Sequence, residues 1–217
     1  MTTKKKVTQQ TPQFGLCLDW ETSGAVFGGD STKDHQGLAF GAIVFNTANF
    51  SIVEKLYIEI KFNAAKYKWT EAAEKIHGLT IQHLEEHGVS QEDGAIALAE
   101  LILKYWGTDS KVMFLGHNPI FDIRFTAQLM ATAEIEFSVE KSTNFDSWIQ
   151  LHHVILDTSA AGFITMGLFK SDLLFEKIGF PERGEHNALA DAEQTLETCA
   201  ALRALTNVAI GELNGKL

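Results

Sequence analysis

The 217-residue sequence predicts an α/β fold: a mixed five-stranded sheet, made of an antiparallel three-strand meander plus two parallel strands, with helices on both faces. Three observations carry this expectation. Residues 14–18, 38–45 and 52–60 are apolar or alternating runs rich in Ile, Val, Phe and Tyr, following one another before any helical pattern appears. From residue 70 onward, helical segments and short strand-like runs alternate. Finally, Asp19 and Glu21 stand at the end of the first run, and in sheets of this kind sites form at the carboxyl ends of parallel strands. Residues 14–217 are expected to form one domain behind a flexible tail over residues 1–13.

Taken in order, residues 14–18 read as a strand buried on both faces, ending in D-W-E. Strand side chains alternate, so Asp19 and Glu21 project to the same side. Two carboxylates that close repel each other unless a cation lies between them or one holds a proton. The Gly- and Asp-rich stretch 24–37 reads as a mobile flap too polar to pack. Turn chemistry at 46–49 joins the next two strands as a hairpin.

Residues 70–76 and 80–87 are short helical segments broken by Gly78. Ser90 followed by Asp93 resembles a capping box, and the helix it opens carries Leu98, Leu101, Ile102 and Tyr105 on one face and ends at Gly107. Residues 111–115 form the fourth strand. Asn118 is placed as N-cap and Pro119 as the first helical residue, which puts Asp122 in the first turn of a helix running to about residue 133. Residues 144–153 fit strand, helix or loop, and 154–156 is a weak fifth strand. A helix over 168–178 stops at Gly179, and a polar turn over 181–185 leads to His186 and a last helix over about 187–205 with an Ala-rich face.

Composition narrows the function. A formal net charge of −10 disfavours a protein that coats duplex DNA by charge alone, although it leaves room for local, metal-mediated contacts. Cys17 and Cys199 show no C-x-x-C zinc spacing and no disulfide framework, and read as small buried hydrophobes. No apolar run reaches membrane-spanning length, and the residues after Lys4, Lys5 and Lys6 lack the apolar core of a signal peptide. A soluble protein of a reducing compartment, the cytoplasm, is expected.

Taken singly, the chemical candidates are ordinary. An Asp in a first helical turn, such as Asp122 or Asp191, is commonly a dipole-favoured surface residue, and a His followed by an Asp is common. Their joint order is not ordinary: a strand ending D-x-E, a strand–Gly-His-Asn–helix carrying Asp, and a late H-x-x-x-x-D on a terminal helix. In this order the sequence resembles the DEDD-type 3′–5′ exonucleases of the ribonuclease-H-like superfamily, in the subgroup with histidine in the last motif. That subgroup includes polymerase proofreading subunits and small-RNA-trimming enzymes, and the general pattern is also similar to phage-encoded members. Asp19–Gly24 (D-W-E-T-S-G) matches the first motif, Gly116-His117-Asn118 through Phe121-Asp122 the second, and His186 through Ala192 the third. Ile76-His77-Gly78-Leu79-Thr80 and Asp157-Thr158 fit accessory segments. The resemblance covers residues 14–205. Trp20 fills a position that is often smaller, and the 24–37 loop is longer than in compact members; no catalytic position is missing.

The resemblance implies a phosphodiester hydrolase using two divalent ions, Mg²⁺ or Mn²⁺, about 3.5–4 Å apart. Carboxylates suit such hard ions. By resemblance Asp19 bridges both ions, Glu21 and Asp191 complete the nucleophile-side site, Asp122 holds the second ion, and His186 is the general base. A histidine pKa near 6.5 suits taking a proton from the attacking water at neutral pH. For the substrate, Thr22 is expected to offer its N–H or hydroxyl to the terminal 3′-OH and Asn118 to bond the sugar–phosphate. Trp20, Phe121 and Phe125 are candidates for stacking on bases. The alternatives are an N-cap role alone for Asn118 and core packing for the aromatics. His77 and His117 are assigned structural hydrogen bonding near the cleft; His83, His87, His152 and His153 receive no role, and Lys4–Lys6 read as a solvated tail.

The expected activity is release of nucleoside monophosphates from single-stranded DNA 3′ ends. Trimming of RNA 3′ ends is the alternative within the same chemistry, and a non-catalytic partner-binding module on the same fold is the rival of another class. A polymerase partner is left open, with no room expected for a separate docking domain beyond the tail.

Overall fold

The computed structural model describes residues 11–108, 110–181 and 186–214. Most of the flexible tail and most of the 181–185 turn expected from the sequence therefore lie outside the described residues, as do Lys4–Lys6.

The chain begins with β1 (Phe14–Thr22), β2 (Gly37–Asn46) and β3 (Ile52–Glu59), the predicted meander. Two short helices follow, α1 (Glu71–His77) and α2 (Ile81–His87), then α3 (Gln91–Trp106), β4 (Met113–Gly116) and α4 (Ile120–Met130). The α4 axis continues as a 3₁₀ turn over Ala131–Ala133. Next come β5 (Ile135–Ser138), β6 (Ser147–Gln150), β7 (Leu156–Asp157), α5 (Thr158–Met166), α6 (Ser171–Ile178) and α7 (Ala188–Asn214). The main sheet has the order β3-β2-β1-β4-β7, antiparallel across the meander and parallel from β1 through β4 to β7. This is the predicted mixed five-stranded sheet.

Alternation along β1 builds both layers. Leu16, Leu18 and Trp20 join Phe40, Val44, Phe114 and Phe125 in the larger core, which α3 and α4 cover. Cys17 points the other way, with Ile43, Phe45 and Leu115, against Ala192 and Leu196 of α7. The Cys17 thiol donates to the Ala192 carbonyl at 3.3 Å, tying the first strand to the last helix. Cys17 is buried and Cys199 half-buried, both free thiols, as the composition suggested.

Gly41 is where α7 meets the sheet. A Cβ on it would stand 2.2 Å from Leu189 Cα, so the first turn of α7 lies almost on the backbone of β2. Gly41 is the register partner of Asp19. The absence of one side chain thus sets how closely the last helix approaches the acid-bearing stretch of β1.

Several expectations are corrected. The first strand does not end at Leu18: it stays paired with β2 through Thr22, while its pairing with β4 stops at Cys17. Asn118 is not a side-chain cap; it adopts φ 58°, and its N–H donates to Asp157 Oδ1 at 3.1 Å. Pro119 occupies the cap position without a side-chain bond. The 24–37 stretch packs. A 3₁₀ turn (Ser31–Lys33) is capped by Asp30, His35 and Gln36 are buried, and Gln128 Nε2 donates to the carbonyls of Thr32 and His35, each at 2.8 Å. Its exposed residues are the tip, 25–29, and Lys33. Helix α5 and a two-stranded parallel sheet, β5 with β6, occupy segments for which no element was expected or the reading was left open.

Candidate active site

The acids of β1 project where the sheet has room for them. Beyond Cys17, β1 loses its β4 neighbour, and the start of α4 fills the vacated space. Asp19 and Glu21 share the parity of Cys17 and face the α7 side. On that side His186 stands two residues ahead of α7, and its N–H donates to the Ile76 carbonyl at the end of α1 at 3.0 Å. Asn187 caps α7, its Oδ1 accepting from the N–H groups of Leu189 and Ala190 at 3.2 Å. Asp191 falls in the first turn, with one carboxylate oxygen 3.2 Å from His186 Nδ1. Glu21, His186 and Asp191 each bring a ligand atom within 4.8 Å of the others.

Asp19 and Asp122 line the same cavity, of about 200 Å³, together with Glu21, His117, Asn118, Phe121, His186 and Asp191. All five predicted catalytic positions (Asp19 and Glu21 from β1, Asp122 from α4, Asp191 from α7, and His186 just ahead of α7) therefore open onto one cleft. Asp122 is buried deepest, at 3% exposure. Burial pushes its carboxyl well above the usual carboxylate range. N–H groups of Asp122 itself and of Trp20 pull the other way, and the nearby Glu21 charge raises it further. The donor set (hard carboxylate oxygens with one imidazole beside them) fits Mg²⁺ or Mn²⁺, and a buried carboxyl that resists ionising alone is one that a cation would ionise.

The substrate candidates divide. Phe121 is half-buried, 4.9 Å from the Phe125 ring by centroid, and borders the cleft. Asn118 borders it too. The Thr22 hydroxyl donates to the Gly24 carbonyl at 3.0 Å, and Thr22 lines a neighbouring cavity of about 360 Å³ with Glu21, Ile76 and His77. Trp20 and Phe125 belong to the core: the Trp20 ring is tilted against Phe40, its Nε1 donates to Thr126 Oγ1 at 3.0 Å, and Phe125 is buried beside it. Core packing, the alternative read for these two rings, is what their contacts favour, although Trp20 also lines the cleft and Phe125 a second cavity beside it.

The structural role expected for two histidines is present. His117 Nδ1 lies 3.0 Å from Thr158 Oγ1, which also donates to Gly116. His77 Nδ1 accepts from the Leu79 N–H at 3.0 Å, and burial pulls its pKa down. Sequence reasoning missed Asn187 as cap, Asp157 as the acceptor that fixes Asn118, and Tyr57, whose hydroxyl bonds Glu59 at 2.9 Å and whose pKa is raised by burial and by Glu59. A cap signal was legible at Asn187; the Asp157 link joins segments 39 residues apart and has no local signal.

No protein-family model matches the chain, and no curated protein matches it by sequence. Solved structures do. The zinc-bound complex of E. coli exonuclease I with single-stranded DNA superposes with a TM-score of 0.67 at 19% identity, over 88% of this chain and 41% of that one. The complex of the same enzyme with a dT13 oligonucleotide gives 0.68 at 18% identity, over 93% and 43%. The likeness is one of fold, and this chain spans less than half the length of those proteins.

Proposed function

We propose that the protein is a two-metal-dependent 3′–5′ exonuclease, of the DEDD type with histidine, that releases nucleoside monophosphates from single-stranded DNA ends. The observation that carries this reading is the convergence of Glu21, His186 and Asp191 within 4.8 Å, in a cavity that Asp19 and Asp122 also line. The fold shared with an enzyme crystallised on single-stranded DNA supports the choice of polymer.

Asp19, Glu21, Asp122 and Asp191 would hold two Mg²⁺ or Mn²⁺ ions, which when bound offset charge on the scissile phosphate and make the attacking water more acidic. The chain's own residues do the rest. His186, one-third exposed at the cleft, accepts the proton of the attacking water. The Asp191 oxygen at 3.2 Å from its Nδ1 orients the ring and steadies the imidazolium that results. Phe121 and Asn118 border the path of the strand, and Thr22 meets the terminal nucleotide from the neighbouring cavity.

The test is a gel assay on 5′-labelled single-stranded DNA and matched RNA, with Mn²⁺, Mg²⁺ or EDTA, and with Asp19→Ala alongside. A ladder shortening from the 3′ end, dependent on metal and lost in the variant, is expected, with DNA cut faster than RNA. Faster RNA cutting would reassign the polymer; no shortening of either would overturn the reading and leave a binding module on this fold.

A further inference from the structure

Beside the cleft lies a second cavity, of about 470 Å³, between the 25–29 loop tip and the start of α4. Its volume is within the range of about 300–1,000 Å³ typical of ligand pockets. Single exposed apolar residues need no explanation, but here three surround one cavity: Phe27 is fully exposed, and Val26 and Ile120 are 41% and 50% exposed. Gly28, at φ 71°, turns the chain directly after Phe27 and holds the tip as a reversal. Arg124 donates to the Gly29 carbonyl at 3.5 Å, linking the tip to α4 and placing a cation at the cavity wall of an acidic protein. Asn118 and Phe121 line both this cavity and the catalytic one, so the two adjoin.

We infer that this cavity is a nucleobase subsite for the nucleotide next to the one being removed, with Phe27 as the stacking ring and Arg124 facing the strand's phosphate. The inference rests on the exonuclease reading for which nucleotide fills the site. A flat apolar ring and a guanidinium on the walls of one cavity match a base followed by a phosphate, and the adjoining cleft sets the occupant's position. Stacking on Phe27 is tolerant of sequence, because every base presents a π-face. The pocket is built from the tip of the 24–37 loop and the start of α4, so in this reading the loop serves the strand upstream of the cut.

The experiment compares two substrates across wild type, Phe27→Ala and Phe27→Trp: the p-nitrophenyl ester of thymidine 5′-monophosphate, whose leaving group replaces the penultimate nucleoside and carries no nucleobase, and thymidine oligonucleotides. Binding of a single strand carrying 2-aminopurine at the penultimate position, in EDTA, is followed by fluorescence. Phe27→Ala should lower kcat/KM for oligonucleotides about tenfold relative to the ester, mainly through KM, and abolish the quenching of 2-aminopurine; Phe27→Trp should restore both. Unchanged ratios and unchanged quenching would overturn the subsite while leaving the exonuclease reading intact. Equal losses on ester and oligonucleotide would overturn it in favour of a loop that shapes the cleft. Phe27-dependent quenching without hydrolysis of any substrate by wild type would instead retain the subsite and remove the exonuclease reading. Neither binding nor hydrolysis would remove both.

Discussion

Asp122, in the cleft, and Glu136, in the small β5–β6 sheet, are carboxylates with little solvent contact, 3% and 5% exposed; Asp122 lies deep in the protein and Glu136 near its surface, and their surroundings are opposite. Glu136 is enclosed by neutral donors: Ser138 Oγ at 2.8 Å, the N–H and hydroxyl of Ser142 at 2.6 and 3.0 Å, and those of Thr143 at 2.8 and 2.6 Å. Desolvation alone would raise its pKa, but these hydrogen bonds outweigh it and pull it down to about 2. Asp122 has N–H donors too few to do the same, and burial with the Glu21 charge wins. A buried acid whose charge the chain itself satisfies is a structural strut. One whose charge the chain leaves expensive is a place for a cation.

Breaking the cleft side should give the largest effects. His186→Ala and Asp19→Ala are each expected to lower kcat at least about 10²-fold with Tm within a few degrees of wild type, because both side chains face the cleft. A large Tm loss in His186→Ala, seen by calorimetry, would mark a structural histidine instead. Gly41→Ala should reduce activity and stability together, the added Cβ costing about 1–3 kcal/mol of overpacking as it displaces the start of α7; activity retained at wild-type level would remove Gly41 from the account of how the site is assembled.

Metal comes next. Saturating Mn²⁺ is expected to raise Tm by about 5–10 °C, the shift for a ligand at roughly a hundred times its Kd. The metal-free protein should show the converse with pH. Below the unfolded carboxyl's pKa of about 3.9, folded and unfolded Asp122 both keep the proton and nothing is lost. As pH rises past it, the unfolded chain ionises first, and stability falls until the raised folded pKa is passed. Asp122→Asn should lack this decline, so the Tm difference between the two proteins should grow from pH 4 to pH 8; parallel pH profiles would refute the cation-site reading of Asp122.

Glu136 should respond in the opposite sense and more mildly. Its depressed pKa contributes stability that is fully present above about 4.3 and lost as pH falls toward about 2. Glu136→Gln is therefore expected to lower Tm by a few degrees at neutral pH, to match wild type near pH 2, and to leave turnover alone. A loss of turnover would tie the β5–β6 region to the cleft.

The same contrast separates what was legible in the sequence from what was not. Local signals worked: D-x-E on an apolar strand, the hairpin, Ser90 and Asp93 at the start of α3, and the third motif on a capped helix all reappear. Interactions between distant segments did not. Asn118 looks like an N-cap, but Asp157 takes its N–H and the backbone turns left-handed instead. Trp20 sits between the two candidate acids Asp19 and Glu21 in sequence, yet parity turns its ring into the opposite layer. The 24–37 loop is polar because its polar groups bond one another and Gln128, which hydropathy reads as solvent exposure. Strands β5 and β6 are four residues each, too short to impose a period.

The close seat of α7 on Gly41, and the Cys17–Ala192 bond across 175 positions of sequence, also bear on when the candidate site is completed. During synthesis β1, β2 and α4 can assemble with Asp19, Glu21 and Asp122 in place, but His186 and Asp191 arrive only with the last helix. A nascent chain, or one cut short before α7, carries three of the four candidate acids and lacks both His186 and Asp191. Under the proposed function, hydrolytic competence would therefore be a property of the finished fold, and cleavage would report on completed folding.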